Sequence, residues 1–266
     1  MTSGIDVKAN LDTAEQLVKK AAKEGCNLVA LPEMFAIMPR GAREALEHAE
    51  KFQNGFIQQK MSHLARTLGI WIAAGSIPLK SPVQNRVYNT CIVYDHFGTV
   101  ACRYDKIHLF SFDNKVESHD EASIYLPGKK PAEFILPLDS GIDVRVGLGI
   151  CYDLRFPELF RSYDNPDLLI IPAAFTATTG KAHWKVLLRA RAIENLCYVC
   201  APAQGGQNPQ GRIFYGHSMA VDCWGQVQAV MGPNETGLSI SSLETAYIRK
   251  VRSILPATRN KSISHD

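Results

Sequence analysis

Amphipathic helical stretches alternate along this chain with short, unbroken apolar runs, and that alternation constrains the fold more than any other feature. Residues 10 to 24 set Leu11, Ala14, Leu17, Val18 and Ala21 on one face, with Asn10 or Asp12 as the cap and Gly25 as the stop. Leu28 to Leu31 follows as a buried strand, and a long helical stretch over 41–67 leads into a second strand at 70–75. Val87 to Tyr94 and Thr99 to Tyr104 read as a hairpin through Asp95 to Gly98. Then come a strand over 142–150, a short helix opened by Pro157, and the apolar run Leu168 to Ile171. The stretch from His183 to Leu196 is helical, with Trp184, Leu187, Leu188 and Ile193 inward and Lys185, Arg189 and Arg191 left for solvent or ion pairs. Strands near 197–202, 217–222, 226–230 and 237–241 precede a helix from about 242. Runs this short and this apolar have no solvent face and must be covered on both sides, which makes the class α/β. No repeat and no Pro/Gly/Ser linker divides the chain, so the expectation is a single domain over 1–266.

Several functions are excluded at once. Lys+Arg 29 against Asp+Glu 26 leaves +3 with no block of like charge, so neither nucleic acid nor a membrane surface is an expected partner. The longest apolar stretch, Leu168 to Phe175, is interrupted by Pro172 and falls short of the ~20 residues that cross a bilayer. The polar start, with no basic and apolar leader, and seven scattered cysteines lead us to expect reduced thiols and a cytoplasmic protein. Cys197 and Cys200 form a C-x-x-C pair, but it sits in a strand-like apolar run without a second pair at zinc spacing. We read both as core residues, and expect no metal and no cofactor.

Sites in open α/β sheets collect at the carboxyl ends of strands. Glu33 follows Leu31, Lys106 follows Tyr104, and Cys151 ends the run Gly147-Leu-Gly-Ile150. Singly each has a bland reading: a helix-start charge, a surface lysine, a small buried strand residue. Cys151 has more behind it, because Gly147 and Gly149 permit close backbone packing and a helix opens at Pro157, which makes the corner like a nucleophile elbow. A thiol near pKa 8.5 is only a few per cent thiolate at neutral pH, so it needs a base or a cation. Glu33 can supply the first and Lys106 the second.

Around these residues the sequence resembles the nitrilase superfamily of carbon–nitrogen hydrolases. The matching stretches are Leu31-Pro-Glu33-Met-Phe35, Tyr104-Asp-Lys106-Ile-His-Leu-Phe110 and Gly147-Leu-Gly-Ile-Cys151-Tyr-Asp-Leu-Arg-Phe-Pro-Glu-Leu159. By that resemblance Glu33 is the proton acceptor, Lys106 the proton donor and oxyanion stabiliser, Cys151 the nucleophile, and Glu121 a second glutamate beside the site. Tyr152-Asp153 after the cysteine, where true nitrilases carry Trp-Glu, points to an amidase branch. Phe156 to Leu159, Ala182 to Asn195, Ala201 to Gly206 and Tyr215 to Met219 look most like the deaminated glutathione amidases, with the ω-amidases next. The resemblance implies an αββα four-layer sandwich, a homo-oligomer (dimer or higher), a metal-free reaction through a Cys thioester, and a small carboxylate-bearing amide as substrate. For deaminated glutathione the products are 2-oxoglutarate and cysteinylglycine. Tyr152, Arg155, Phe175 and Thr176 are the expected substrate-binding residues, and Arg212 is a further candidate on residue type.

Two other readings compete. A papain-like Cys/His hydrolase would use His108, His183 or His217 as base, though no spacing singles one out. A non-catalytic binding protein with a hydrolase fold would need no base at all. One further expectation concerns the start: members usually open with a short apolar strand directly before the Met-Thr-Ser-Gly found here. A chain one strand short would leave apolar surface beside Leu28 to Leu31, and a form about ten residues longer would melt at a higher temperature.

Overall fold

The computed structural model describes residues 1–115, 118–138 and 141–259. Two sheets lie face to face at its centre. In the first, Leu28–Ala30 pairs in parallel with Trp71–Ala73. That strand and Ile77–Lys80 pair antiparallel with Val87–Tyr94, and Val100–Asp105 closes the far edge. In the second, the order is Glu133–Pro137, Asp143–Leu148, Leu168–Ile170, Tyr198–Ala201, Met219–Val221 and Val227–Val230. Its three central strands are parallel, and parallel neighbours need a crossover; Pro157–Arg161 and Ala177–Asn195 lie in those links.

Burial explains the layering. Helices Val7–Lys23 and Phe56–Leu68 place Leu11, Ala14, Val18, Met61 and Ala65 in one apolar cluster with Val29, Ile72 and Ile92 of the first sheet. Cys91, Val93 and Tyr104 share a second cluster with Phe134, Val146 and Leu148 of the other sheet. That cluster continues into Trp184 and Leu188 of Ala177–Asn195 and Ile248 and Val251 of Thr245–Ile254. The result is the αββα sandwich, and both sheets are apolar on two faces because both are covered on two faces.

Several boundaries differ from the sequence reading. The first helix starts at Val7, because Asp6 rather than Asn10 or Asp12 caps it, accepting from Ala9 N at 3.0 Å. Asn10 is buried instead, its amide bridging the Gly4 and Ala36 carbonyls at 2.9 Å each. The stretch over 41–67 is two helices, Ala42–Glu47 and Phe56–Leu68. Glu50 divides them, its carboxylate accepting from Ile57 N at 2.7 Å and Gln58 N at 3.2 Å at the start of the second. The helix expected from His183 begins at Ala177, where Thr176 caps it. Ile193 is 43% exposed on that helix, and Arg191 is buried, donating to the Leu154 carbonyl at 3.0 and 2.7 Å. Residues 237–241 form no strand; they wall a crevice of about 490 Å³ together with Met1, Leu28, Leu136 and Tyr198. The edge of Leu28–Ala30 away from Trp71–Ala73 has no strand partner among the described residues.

Candidate active site

Chain reversals after three strands bring the site together. Leu28–Ala30 delivers Glu33, Val100–Asp105 delivers Lys106, and Asp143–Leu148 delivers Cys151. Cys151 sits at φ 49°, in the left-handed region that L-residues rarely adopt, and opens the short 3-10 turn Cys151–Arg155. Its N–H is spent on the Pro172 carbonyl at 2.8 Å. The glycines before it act otherwise than expected: the space is taken by aromatic side chains rather than backbone. A Cβ on Gly147 would meet the Tyr163 ring at 2.8 Å, and one on Gly149 the Phe160 ring at 2.9 Å.

The charged groups form a buried chain. Lys106 Nζ donates to Glu33 Oε1 at 2.9 Å and to Glu121 Oε1 and Oε2 at 3.0 and 2.8 Å. Asn89 Nδ2 adds a bond to Glu33 Oε1 at 2.9 Å and Phe110 N one to Glu121 Oε2 at 2.7 Å, and the buried Cys151 thiol lies within the field of Glu33. The Lys106 side chain is 0% exposed and that of Glu33 is 4% exposed, so neither charge is carried by water. Burial pushes the Glu33 carboxyl up, but the Lys106 charge and the bonds from Lys106, Cys151 and Asn89 outweigh it and hold the group below its ordinary value. Glu121 goes the other way: burial and the Glu33 charge raise it despite Lys106 and the Phe110 N–H. Burial works against charge on Lys106, yet the two carboxylates hold its pKa well above the ordinary value. Burial and the Glu33 charge push the Cys151 thiol well up, against Lys106 and the Ala174 N–H. At rest the site therefore contains a neutral thiol beside an ionised carboxylate, poised for proton transfer rather than a standing thiolate.

One residue that the sequence analysis named only as a branch marker organises both loops. Asp153 is fully buried and takes four hydrogen bonds: Ile150 N at 2.8 Å, Tyr104 Oη at 2.7 Å, His108 N at 2.9 Å and His108 Nδ1 at 2.7 Å. It ties the cysteine turn to the segment that follows Lys106. Gln204, also fully buried, does the same for Glu33, donating to its carbonyl at 3.0 Å and to Ser3 Oγ at 2.9 Å. The signal for such residues is a lone polar side chain within a predicted buried run, as Asn89 is within Val87–Tyr94.

The expected substrate residues gather beside the turn. The Arg155 guanidinium lies 5.8 Å from the ring centroids of both Tyr152 and Phe175, and its two terminal nitrogens are each 3.2 Å from His183 Nδ1. Thr176 is buried and its hydroxyl accepts the helix-capping bond from Thr179 N at 3.3 Å. The histidines are engaged elsewhere: His108 with Asp153 and stacked 3.7 Å from Phe156, His183 with Arg155, and His217 Nδ1 with the Tyr215 carbonyl at 2.7 Å. Glu33 and Lys106, joined at 2.9 Å, are the charged groups whose fields act on the Cys151 thiol, and none of the three histidines is among them. All seven cysteines are unpaired, Cys197 and Cys200 among them.

Comparison with known proteins shows the family and the fold. A family model for carbon–nitrogen hydrolases matches residues 1–253. A deaminated glutathione amidase of Yersinia enterocolitica is 37% identical over 98% of this chain and 90% of its own length. The ω-amidase NIT2 of Xenopus tropicalis is 37% identical over 95% of this chain and 89% of its own. Among solved structures, the NitFhit protein of C. elegans superposes with a TM-score of 0.87 at 34% identity; 98% of this chain is covered, and it spans 63% of that longer protein. Saccharomyces cerevisiae Nit3, a member of the nitrilase superfamily, gives 0.84 at 31% identity over 98% of this chain and 93% of its own.

Proposed function

The chain belongs to the carbon–nitrogen hydrolase family and is a hydrolytic enzyme acting on amides, and from that premise we propose that Cys151, Glu33 and Lys106 cleave a small carboxylate-bearing amide through a thioester. The observation that carries this reading is the buried Lys106–Glu33 pair, Nζ to Oε1 at 2.9 Å, whose charges act on the buried Cys151 thiol. Glu33 removes the thiol proton as sulfur attacks the amide carbon, and the electron pair of the carbonyl moves onto oxygen. Lys106 Nζ and the Tyr152 N–H hold that oxyanion; the Tyr152 N–H stands at the open start of the Cys151–Arg155 turn, where no preceding carbonyl is available to it. Collapse breaks the C–N bond, and the proton on Glu33 leaves with the amine. Water, giving a proton to Glu33, then attacks the thioester; the acid departs and the proton returns to sulfur. Glu121, 2.8 Å from Lys106, fixes the ammonium and keeps it charged.

Deaminated glutathione is the substrate we favour, supported by relatives of that name at 37–38% identity. It would give 2-oxoglutarate and cysteinylglycine, with Tyr152, Arg155, Phe175 and Thr176 shaping the pocket. ω-Amidase relatives are equally similar, so the test is a comparison of kcat/KM on deaminated glutathione, α-ketoglutaramate and a simple aliphatic amide. Preference for the first by tenfold or more supports the assignment; preference for α-ketoglutaramate replaces it with ω-amidase, and turnover of none overturns the reaction. We further propose that the whole chain acts as one catalytic unit in a homo-oligomer. Val186, Ile193 and Trp224 are 67, 43 and 52% exposed, and Ile193 packs against the Trp224-Gly225 turn. Such a patch is what an interface covers, and a monomeric mass in solution would refute it. Unpaired thiols fit a reducing, cytoplasmic setting.

A further inference from the structure

We propose that Arg212 is the anchor for a carboxylate on the acyl half of the substrate, an assignment that rests on the amidase reading above. Several arginines of this protein face a carboxylate: Arg103 meets Asp105, Arg191 meets Glu194 and Arg252 meets Asp167, at 2.9 to 3.0 Å. Arg212 meets none among the ion pairs of the described residues. Its guanidinium lies 5.2 Å from the Phe214 ring centroid, one terminal nitrogen reaches Met38 Sδ at 3.7 Å, and its Nε is buried with no hydrogen-bond partner. A buried donor left unpaired costs about 1–3 kcal/mol, and such a group is retained where something else supplies its acceptor.

The surroundings put that guanidinium on the wall of the reaction site. Phe214, under Arg212, packs in one cluster with Met34, Met38, Tyr125 and Ala174. Met34 is the neighbour of Glu33, and Ala174 lies two residues past Pro172, whose carbonyl accepts from Cys151 N at 2.8 Å. Tyr125 lies within the fields of Glu121, Glu33, Lys106 and Arg212 together. Backbone pairing completes the link, since Phe214 bridges Thr176 and Tyr215 N donates to the Phe175 carbonyl at 2.9 Å. Arg155 is partly committed, with both terminal nitrogens on His183; Arg212 commits one nitrogen, and only to the weak acceptor Met38 Sδ. A guanidinium offers two parallel N–H groups to a carboxylate, which a lysine cannot, so the ligand class is a compact acid whose carboxylate lies within reach of the acyl carbon.

Two measurements on the intact protein test this. Titration calorimetry of 2-oxoglutarate against wild type and Arg212→Met is expected to show binding at least tenfold weaker in the variant. The ratio of kcat/KM for α-ketoglutaramate to that for a neutral aliphatic amide is expected to fall about 100-fold. Arg212→Lys keeps the charge without the fork and should lose about tenfold in that ratio; it carries the test if the methionine variant does not fold. Equal 2-oxoglutarate affinity in the variants, no binding by wild type, or a parallel loss on both amides, as a purely structural role would give, overturns the anchor. If wild type binds 2-oxoglutarate through Arg212 but hydrolyses no amide, the reaction assignment fails while the anchor stands.

Discussion

Replacing Asp153 by alanine removes the acceptor for four donors at once, and its cost can be worked from their surroundings. Ile150 N and Tyr104 Oη, at 2.8 and 2.7 Å, are wholly inside the protein. Orphaning each costs about 1–3 kcal/mol, and the bonds lost were to a charged group. The two His108 donors lie at a side chain 26% exposed, where water replaces part of what is lost. The expected destabilisation is therefore about 3–5 kcal/mol, among the larger single-residue effects. At roughly 2–4 °C per kcal/mol for a chain of this size, the thermal midpoint should fall by on the order of 10 °C. Urea unfolding followed by fluorescence checks the free energy. Activity adds a second readout, because Asp153 joins the Cys151 turn to the segment after Lys106. Measured well below its midpoint, the variant should lose roughly 100-fold in kcat, the order a misplacement near 1 Å produces. Asp153→Asn, which keeps the volume but presents an amide to two donors, should fall between. A loss under about 1 kcal/mol with kcat retained would refute the view that this carboxylate assembles the site.

Further outcomes follow from the same contacts. Glu33→Gln should reduce kcat by about 10²–10⁴-fold, the span of general base catalysis, with the fold retained; circular dichroism and steady-state rates check both. Lys19 and Lys60 hold the Glu15 carboxyl down to about 2. A lowered value means stability present above the ordinary carboxylate range and lost as pH falls toward about 2, so Glu15→Gln should destabilise at pH 7 and not at pH 2. These are surface groups, and the difference should stay below about 1 kcal/mol. Gly149→Ala drives a methyl against the Phe160 ring at 2.9 Å, and should cost about 1–3 kcal/mol by overpacking beside the nucleophile.

How much of this was written in the sequence depends on the range of the interaction. Glu33, Lys106 and Cys151 could be picked out as candidates because each follows a strand, where an α/β fold collects its sites, but each alone had a bland reading and their roles came only with the family resemblance. The stretch over 41–67 reads as one helix because apolar residues continue through the break; Asn54-Gly55 is its local mark, and Glu50 reaches across it to Ile57 N and Gln58 N. Arg191 was left by periodicity to solvent or an ion pair; it makes the pair with Glu194, but from a buried position where it also donates to the Leu154 carbonyl. Asp153 and Gln204 were missed for a similar reason. Apart from Ile150 N, three residues from Asp153, the partners named above lie 45 or more residues away, at His108, Tyr104, Ser3 and Glu33, and local pattern carries no trace of those pairings. Arg212 was a candidate on residue type, but its place over the Phe214 ring depends on the strand Ile213–Tyr215, too short to announce itself.

The central claim is that the Cys151 thiol, deprotonated by Glu33 and assisted by Lys106, carries the acyl group of the substrate. Acid quenching during turnover of α-ketoglutaramate or deaminated glutathione, followed by peptide mass spectrometry, tests it most directly. The account predicts a 2-oxoglutaryl thioester on the peptide containing Cys151, labile to hydroxylamine, and no adduct or turnover in Cys151→Ala. Turnover persisting in that variant, or an acyl group found on another residue, would contradict it.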